Sequence, residues 1–376
     1  MLITSINPKN ILSFGEDQPP IELAPLNILV GPNGSGKSNL IECVRLLQSA
    51  TKSQPAPLPL GWLWQGHKNH PIVRLEAVIN CPVGSRNLRY WLEFTASNQN
   101  FQLTDERIEN EHPDVGHGKS YFYFAYQKGA PVINVKSGRR QLKREDINTE
   151  LSILAQRKNT EAYPEISWLG EAFGKIRIYR DWTFGALCPL RIPDNQGLTE
   201  DFLSENFENL GAILSLLCNA PETKKKILGH LRTLLPNTED INVNFVEGVA
   251  QISIKEAGFL IPTAIMSDGT LRFLCLLAIL CHPVPPPLIC IEEPELGLHP
   301  EMMPALAELL RDASQRTQLI VSTHSDLLVE EFIDTPENVI TIEKPEGQSI
   351  THRLDTETLE NWLDEFTLGP DDEGDS

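Results

Sequence analysis

The chain has 376 residues, of which 41% are hydrophobic, 22% charged and 7% aromatic. This composition is typical of a globular protein and excludes a collagen-like, fibrous or disordered chain. The 32 basic and 51 acidic residues give a net charge of -19, and nine of the acidic residues follow Arg353, where no Lys or Arg occurs. The rest of the chain still carries -10, which excludes a protein that coats nucleic acid through its overall charge. Any contact with DNA must therefore be local.

The sequence also bears on the cellular compartment. The longest strongly apolar stretch, 271–281, contains Arg272 and is shorter than the roughly 20 residues of a membrane-spanning helix. The first residues lack the basic and apolar segments of a secretory signal, and the seven Cys are odd in number and scattered. We therefore expect a cytoplasmic protein with no membrane span.

The predicted elements begin with a short apolar strand, 26–30, which has the composition of a buried parallel strand. A glycine-rich loop follows, and then a helix whose apolar residues recur at helical spacing, namely Leu40, Ile41, Val44 and Leu47. Runs of β-prone residues separated by Gly, Pro and Asn next predict antiparallel hairpins at 72–79, 87–95, 121–126 and 131–135. Residues 197–235 are predicted to be helical.

The last third of the chain alternates between helix and strand. Helices are predicted at 270–281, 301–313 and 326–332, and strands at 288–291, 318–322 and 338–343. This alternation is typical of βαβ units, so we expect a parallel sheet with right-handed crossovers.

The loop after the first strand carries a phosphate-binding motif. Residues 31–38 read GPNGSGKS and fit G-x-x-x-x-G-K-[ST], between a predicted strand and a predicted helix as this motif requires. The glycines let backbone N–H groups curl around phosphate oxygens, and the helix N-terminus adds its dipole. Lys37 would reach the β- and γ-phosphates, and Ser38 would bind Mg²⁺; a plain glycine turn is the alternative. The predicted nucleotide contacts are Gly31, Pro32, Asn33, Gly34, Ser35, Gly36, Lys37, Ser38 and Asn39.

A strand that ends in acidic residues supplies a second candidate element. Residues 288–295 read LICIEEPE and deliver Glu292 and Glu293 at the carboxyl end of the strand, where ligands bind in open α/β sheets. Glu292 would hold Mg²⁺ through water, and Glu293 would polarise the attacking water as general base. A solvated acidic turn is the alternative interpretation.

Two further polar clusters stand at the ends of predicted elements. His324, in VSTHS, follows a buried strand and could donate to a γ-phosphate, although a structural histidine is the alternative. Upstream, Ser267 or Asp268 is the natural N-cap of the helix at 270–281. With Gly269, the N–H groups and hydroxyl at this helix start could also bind an anion.

The motifs GPNGSGKS, SDGT, ICIEEPELGLHP and STHS, in that order, resemble the ABC-type ATPase heads of the RecF, SMC and OLD-like group. The similarity is greatest to the short stand-alone bacterial ATPases of this group without a coiled-coil arm, some of which are encoded in phage-defence or DNA-repair modules. The resemblance implies an α/β P-loop NTPase fold, in which a mixed central sheet is accompanied by an antiparallel β-hairpin lobe and a helical signature lobe.

The resemblance also implies a dimer of heads that sandwiches two ATP molecules. Each nucleotide is held by the P-loop of one subunit and by the SDG signature of the other, which assigns Ser267, Asp268 and Gly269 to the nucleotide of the partner. By the same resemblance, residues 295–299 form the loop that communicates across the dimer, and His324 is the switch histidine.

The sequence departs from the family pattern at two places. The residue that supports Mg²⁺ is usually Asp, whereas Glu292 is one methylene longer, and this bears on metal geometry and turnover rate. The glutamine-bearing loop of the family is not obvious, and Gln156 is our candidate for this ligand of the metal, with Gln127 as the second choice.

The domain organisation follows from the same resemblance. The 229 residues between Lys37 and Ser267 contain hairpins and short helices rather than a coiled-coil arm, and no toprim-like effector is apparent. We expect a single head over 1–376, with lobe I at about 1–185 including a β-hairpin insertion at 72–135, a helical signature region at about 190–285, an α/β region at 286–366 and an acidic tail at 367–376.

A basic cluster is the one local candidate for a nucleic-acid contact. Its five cations are Lys136, Arg139, Arg140, Lys143 and Arg144. They could follow a DNA or RNA backbone, and the alternative is a solvated hairpin or helix face partly neutralised by Glu145 and Asp146.

The sequence thus predicts an ATPase that converts ATP to ADP and phosphate with Mg²⁺, coupled to closing of a homodimer or higher homo-oligomer. The expected setting is bacterial DNA repair or anti-phage defence with a separately encoded nuclease or toprim-like effector. The alternative is an ATP-gated scaffold or sensor with slow turnover, which holds a partner protein and does not act on DNA. A transporter subunit is a third interpretation, which the hairpin-rich insertion and the SDG signature disfavour.

Overall fold

The computed structural model describes most of the chain. The described residues are 1–54, 59–66, 72–83, 86–97, 100–127, 129–135, 138–141, 147–148, 150–185, 188–191, 201–246, 249–355, 357–359 and 362. In this part of the chain, none of the helices has the length and apolarity needed to cross a bilayer.

The strands and α-helices of the described residues have the following bounds. The strands are β1 (Ile3–Lys9), β2 (Ile21–Glu22), β3 (Leu26–Val30), β4 (Val73–Ile79), β5 (Leu88–Ser97), β6 (Asn100–Asn110), β7 (Phe122–Gln127), β8 (Ala130–Val135), β9 (Gly138–Gln141), β10 (Arg177–Tyr179), β11 (Thr238–Val246), β12 (Val249–Glu256), β13 (Phe259–Pro262), β14 (Leu288–Glu292), β15 (Gln318–Ser322), β16 (Val339–Glu343) and β17 (Ile350–Arg353). The α-helices are α1 (Lys37–Ser49), α2 (Ile153–Gln156), α3 (Pro164–Gly174), α4 (Leu210–Cys218), α5 (Pro221–Leu234), α6 (Asp268–Leu280), α7 (Met303–Ser314) and α8 (Asp326–Glu330).

The chain divides into two compact units, each built from separate stretches of sequence. Unit 1 comprises 1–24, 31–176 and 341–352, and unit 2 comprises 25–30, 177–340 and 353–376. The first unit therefore contains the glycine-rich loop, and the second contains the signature and the acidic strand end.

Unit 1 contains an eight-stranded antiparallel sheet in the order β2-β1-β4-β5-β6-β7-β8-β9. Cross-strand ion pairs hold its central strands in register, because Arg74 lies opposite Glu93 and Arg89 lies opposite Glu109. On β6 the opposite face carries Ile108, which is fully buried. This alternation explains why a strand rich in charged residues forms at all.

The largest core of unit 2 lies around the strands β10, β14, β15 and β3, which are neighbours in that order. Strands β10, β14, β15 and β3 are parallel neighbours, and β3 and β15 are buried along their whole length. The fully buried Asn27 is satisfied, because its amide donates to Leu319 O at 3.0 Å and its oxygen accepts from Arg353. Helix α6 is buried nearly all round, as expected for a helix within a core.

Most of the predicted elements are confirmed. The strand at 26–30 and the strand at 318–322 match β3 and β15 residue for residue, helices and strands alternate from 268 to 343, and β14, β15 and β3 pair in parallel as expected. The prediction of one helical region at 197–235 was too broad, because the helix α4 begins only at Leu210 and Pro221 starts a second helix. The antiparallel sheet β11-β12-β13 was not predicted.

Candidate functional site

The glycine-rich loop of unit 1 needs its glycines for both backbone conformation and space. Gly31, Gly34 and Gly36 have φ values of 143°, 76° and 119°, which other residues rarely adopt. A Cβ on Gly31 would lie 2.1 Å from the carbonyl oxygen of Ile342, and one on Gly36 would lie 2.2 Å from the hydroxyl of Ser349. The chain therefore passes too close to its neighbours for any side chain at these positions.

Two serines distant in sequence hold the loop in place. The Ser349 hydroxyl lies 2.6 Å from that of Ser13 and also hydrogen-bonds the carbonyl of Ser35. The amide of Asn39 donates to the same Ser13 oxygen at 2.7 Å. The loop and the first turn of α1 are thus tied to two segments at opposite ends of the sequence, and the sequence motif alone gave no sign of either serine.

The lysine of the motif lies against its own loop. The Nζ atom of Lys37 donates to the carbonyl oxygens of Gly31 at 2.6 Å and Pro32 at 3.0 Å, and the residue is only 6% exposed. Pro32, Asn33, Gly34 and Ser38 are exposed, as the prediction that they bind phosphate requires. Since an ammonium group has three donors and no acceptor, it can exchange these carbonyls for phosphate oxygens.

Three neighbouring parallel strands of unit 2 end at one edge of their sheet. Glu292 on β14 lies opposite Ser322 on β15, and Ser322 lies opposite Leu29 on β3. Val30 then leads directly into Gly31, the first residue of the glycine-rich loop. Carboxyl ends of parallel strands are the usual place for ligands in open α/β sheets.

Glu293 has an unusual backbone conformation that is held by hydrogen bonds. Its φ is 49°, in the left-handed region, which costs free energy for a residue with a side chain. Its N–H donates to Ser322 O at 2.9 Å, and its carbonyl accepts from Nη1 of Arg272 at 3.0 Å. The Oε1 atom lies 3.5 Å from Nε2 of His324, so the predicted general base and the predicted switch histidine are neighbours.

Glu292 is fixed by a segment that the sequence prediction missed. Nη2 of Arg180 donates to Oε1 of Glu292 at 2.7 Å, and Nε1 of Trp182 donates to the Glu292 carbonyl at 2.7 Å. Both donors follow β10, which pairs in parallel with β14. A three-residue strand gives too weak a sequence pattern to be predicted, so neither residue could be connected with Glu292 in advance.

Glu295 connects the loop after β14 to the residues around His324. Its Oε1 atom accepts from the Thr323 hydroxyl at 2.7 Å and from the His324 N–H at 2.9 Å, and the residue is 9% exposed. Burial lowers the pKa of the Arg272 guanidinium, and the negative charge of Glu295 partly opposes this by raising it. The start of the 295–299 loop is therefore anchored in the core rather than mobile in solvent.

The signature residues lie at the start of α6, as predicted. Ser267 is the N-cap, since its hydroxyl accepts from the Thr270 N–H at 3.1 Å, and both Ser267 and Asp268 are exposed. Arg191 braces this turn by donating to Met266 O at 2.7 Å and pairing with Asp268. This exposed turn is bordered by the loop that follows β14, because a Cβ on Gly269 would lie 2.5 Å from the Gly297 carbonyl.

The candidate glutamine is engaged within unit 1. The Nε2 atom of Gln156 donates to Leu151 O at 2.9 Å and to Asn148 O at 3.0 Å, and its Oε1 accepts from Asn148 N at 2.9 Å. Its side chain thus closes its own turn, and its role toward a metal stays a prediction. Gln127 is the exposed last residue of β7.

The basic cluster lies largely outside the described part of the chain. Lys136, Lys143 and Arg144 are outside the described residues, as is the acidic tail at 367–376, while Arg139 and Arg140 belong to β9. A contact between this cluster and DNA therefore stays a prediction.

The donor set fits Mg²⁺ better than a transition metal. Among the described residues there is no group of three or more His, Cys, Asp or Glu side chains able to hold a metal ion. Mg²⁺ does not need such a cage, because it is commonly held by one or two protein oxygens together with substrate phosphates and water. The Ser38 hydroxyl and the Glu292 carboxylate are oxygen donors of this kind.

Comparisons with known proteins agree with this geometry. A family model described as "AAA domain, putative AbiEii toxin, Type IV TA system" matches residues 26–122 and 194–330, together more than half of the chain. The chain belongs to this AAA family. The comparison with curated proteins gives no match.

Solved structures of SMC head domains share the fold of this AAA protein. The Smc head bound to the C-winged-helix domain of ScpA has 15% identity and a TM-score of 0.60, covering 95% of this chain and 99% of that one. The Smc head with an extended coiled coil bound to the C-terminal domain of ScpA from Pyrococcus furiosus has 16% identity and a TM-score of 0.56, with 97% and 99% covered. The Smc head with a coiled coil and joint from Pyrococcus yayanosii has 12% identity and a TM-score of 0.52, again with 97% and 99% covered. The protein therefore shares the fold of SMC head domains, and the predicted fold class is confirmed.

Proposed function

We propose that the protein is a Mg²⁺-dependent ATPase whose ATP-bound heads dimerise. One observation carries the proposal: Glu292, Ser322 and Leu29 are adjacent at the carboxyl edge of three parallel strands, and β3 runs directly into the glycine-rich loop. Strand ends that are far apart in sequence are thereby neighbours at one sheet edge, and the glycine-rich loop follows one of them in the chain, which supports their action on one nucleotide.

In this proposal, the residues of the loop bind and orient the triphosphate. Backbone N–H groups of 31–38 donate to phosphate oxygens, and Lys37 leaves the carbonyls of Gly31 and Pro32 for the β- and γ-phosphates. Ser38 and Glu292 would hold Mg²⁺, which neutralises charge on the phosphates when bound. Binding thus exchanges hydrogen bonds from the ammonium group to neutral carbonyls for bonds in which both partners are charged.

Glu293 acts as general base on the attacking water. Its carboxylate takes a proton from water as the oxygen attacks the γ-phosphorus and the bond to ADP breaks, which yields ADP and phosphate. The left-handed backbone at Glu293, held by Arg272 and by Ser322, limits the directions in which the carboxylate can lie. His324 lies 3.5 Å from this carboxylate, and in this proposal it donates to the same γ-phosphate.

The proposed dimer completes the site through the exposed start of α6. In one head, Ser267, Asp268 and Gly269 are exposed or partly exposed and lie at a helix N-terminus, which favours an anion. We propose that they contact the γ-phosphate bound by the second head. ATP then acts as the link between heads, and its hydrolysis opens them.

The test of this mechanism is the Glu293→Gln variant. We expect it to bind ATP, to hydrolyse it at least a hundredfold more slowly, and to accumulate as a dimer in ATP, as measured by light scattering on a sizing column. A matched control is Glu301→Gln, which changes an exposed carboxylate at the start of the turn that precedes α7. A Glu293→Gln protein that stays monomeric with normal turnover would contradict the mechanism.

For the biological role, we infer bacterial DNA repair or anti-phage defence with a separately encoded effector. The description of the family as an AbiEii toxin of type IV systems supports a defence setting. The effector is sought among polypeptides that co-purify with Glu293→Gln in ATP and not in ADP. Turnover strongly stimulated by DNA favours repair or defence on DNA, whereas slow turnover that DNA does not change favours the ATP-gated scaffold.

A further inference from the structure

Glu292 is held at two points by the segment that follows β10. Tyr179, the last residue of β10, lies opposite Ile291 on β14. The residues that follow these two are Arg180 and Glu292, which are therefore adjacent. From there, Arg180 donates to the Glu292 carboxylate and Trp182 donates to the Glu292 carbonyl, each at 2.7 Å. Side chain and main chain of Glu292 are therefore fixed together.

The two donors are themselves held in place. The Trp182 ring stacks on the Phe207 ring, with 4.9 Å between the ring centres and an interplanar angle of 23°. The guanidinium of Arg272, on α6, lies 4.8 Å from the centre of the Trp182 ring. The Arg180 and Glu292 side chains are 25% and 16% exposed, so their ion pair is only partly hydrated. A charged hydrogen bond in such surroundings is stronger than one on the open surface.

This arrangement accounts for a glutamate at a position where the family usually has aspartate. Glutamate has one more torsion than aspartate, and its carboxylate would sample more positions before a metal arrives. The bond from Arg180 to Oε1 removes that freedom. Outer partners of this kind commonly orient metal-supporting carboxylates.

We propose that Arg180 and Trp182 are positioning residues that hold the Glu292 carboxylate ready for Mg²⁺, and so let a glutamate replace aspartate. This inference rests on the proposed function, because Glu292 supports Mg²⁺ only if the chain binds ATP with that metal. Arg180 acts through one carboxylate oxygen and does not touch the nucleotide in this role.

The test measures Mg²⁺ dependence of nucleotide binding rather than turnover. Binding of ATPγS to the full chain is titrated with MgCl₂, and the affinity in EDTA is measured separately. We expect Arg180→Met to raise the Mg²⁺ concentration at half-saturation about tenfold, with the affinity in EDTA changed less than about twofold. Trp182→Phe keeps the stacked ring and removes only the N–H, so we expect a smaller shift in the same direction.

A matched control and a double substitution separate positioning from general damage. The control is Arg177→Met, at the first residue of β10, where the guanidinium lies 5.5 Å from the centre of the Phe202 ring. This substitution should leave the Mg²⁺ titration unchanged. In a Glu292→Asp background we expect the carboxylate, which is one methylene shorter, to lose its bond from Arg180. Arg180→Met should then have less than about a twofold effect. Unchanged melting temperatures show that the variants fold.

Three results would overturn the inference. Arg180→Met could bind Mg²⁺ more tightly, which would make Arg180 a competitor of the metal, or it could leave the titration unshifted. Its effect could also be equally large in the Glu292→Asp background and in the unaltered chain, which would mean that it does not act through the longer carboxylate. If the unaltered chain shows no Mg²⁺-dependent binding of ATPγS, the proposed function itself fails, and this outcome is distinct from the other three.

Discussion

The buried carboxyl group of Glu106 predicts that unit 1 loses stability as the pH rises. Glu106 lies on β6 and is 1% exposed. Its Oε1 accepts from the Tyr90 hydroxyl at 2.7 Å and the Ser152 hydroxyl at 2.6 Å, and its Oε2 accepts from the Ile153 N–H at 2.8 Å. Burial raises the pKa of Glu106 from 4.5 to about 7, although these donors act in the opposite direction.

The size and sign of the effect follow from this pKa. A rise from 4.5 to about 7 in the folded state corresponds to about 3 kcal/mol, at roughly 1.4 kcal/mol for each pKa unit. Because the folded state holds the proton more tightly than the unfolded state, this stability is fully present below about pH 4.5. It is lost as the pH rises through about 7. Between pH 5 and pH 8 the loss is about 2.5 kcal/mol.

The assay compares urea unfolding of the unaltered chain and of Glu106→Gln across this range. We expect the difference in unfolding free energy between the two proteins to change by about 2.5 kcal/mol from pH 5 to pH 8, because the amide cannot ionise. Glu106→Gln should be less stable at pH 5, since its NH₂ group cannot accept from the Ile153 N–H.

A second substitution tests the role of the donors. Tyr90→Phe keeps the ring, which packs at 5.7 Å from Phe173, and removes one hydrogen bond that favours the ionised carboxylate. The pKa of Glu106 should rise further, so the loss of stability should shift to higher pH. Parallel pH curves for the unaltered chain and Glu106→Gln would refute the reasoning.

Three more substitutions test other parts of the structure. Gly36→Ala puts a Cβ 2.2 Å from the Ser349 hydroxyl at a φ of 119°, so the ATP affinity measured at equilibrium should fall at least tenfold. The control is Gly118→Ala, which has open space around the new Cβ and should bind ATP normally. Arg272→Met removes the donor to the Glu293 carbonyl, so kcat should fall roughly tenfold with KM for ATP nearly constant; a parallel rise in KM would count against this role. Gly229→Ala, on the exposed face of α5, should raise the unfolding free energy by about 0.5–1 kcal/mol, and a decrease in urea unfolding experiments would disprove it.

The parts of the fold that depend on local sequence could be predicted. The glycine-rich loop, the N-cap at Ser267 and the buried strand β15 each follow from a few adjacent residues, and the structure confirms their elements. Strand β6 was missed because its charged residues hide an alternating pattern. Its Arg107 lies opposite Trp91 on β5, with the guanidinium 4.7 Å from the ring centre, so the neighbouring strand stabilises what the segment alone does not.

The parts of the candidate site that depend on distant residues could not be predicted. Arg180 and Glu292 are 112 positions apart, and an ion pair at that separation leaves no mark in a single sequence. The same holds for the bond from Arg272 to the Glu293 carbonyl, since only the fold brings α6 beside that turn. Motifs thus gave the candidate residues, while the contacts that orient them required the structure.

The two serines that hold the glycine-rich loop, Ser13 and Ser349, have a consequence for synthesis of the protein. Ser349 is 336 positions from Ser13 and 314 from Ser35, the residues that it contacts. A ribosome must therefore translate the chain at least as far as Ser349 before the glycine-rich loop can acquire both of its anchors. Growing chains that end before Ser349 would carry the intact motif without its second anchor, so nucleotide binding should await synthesis of that residue.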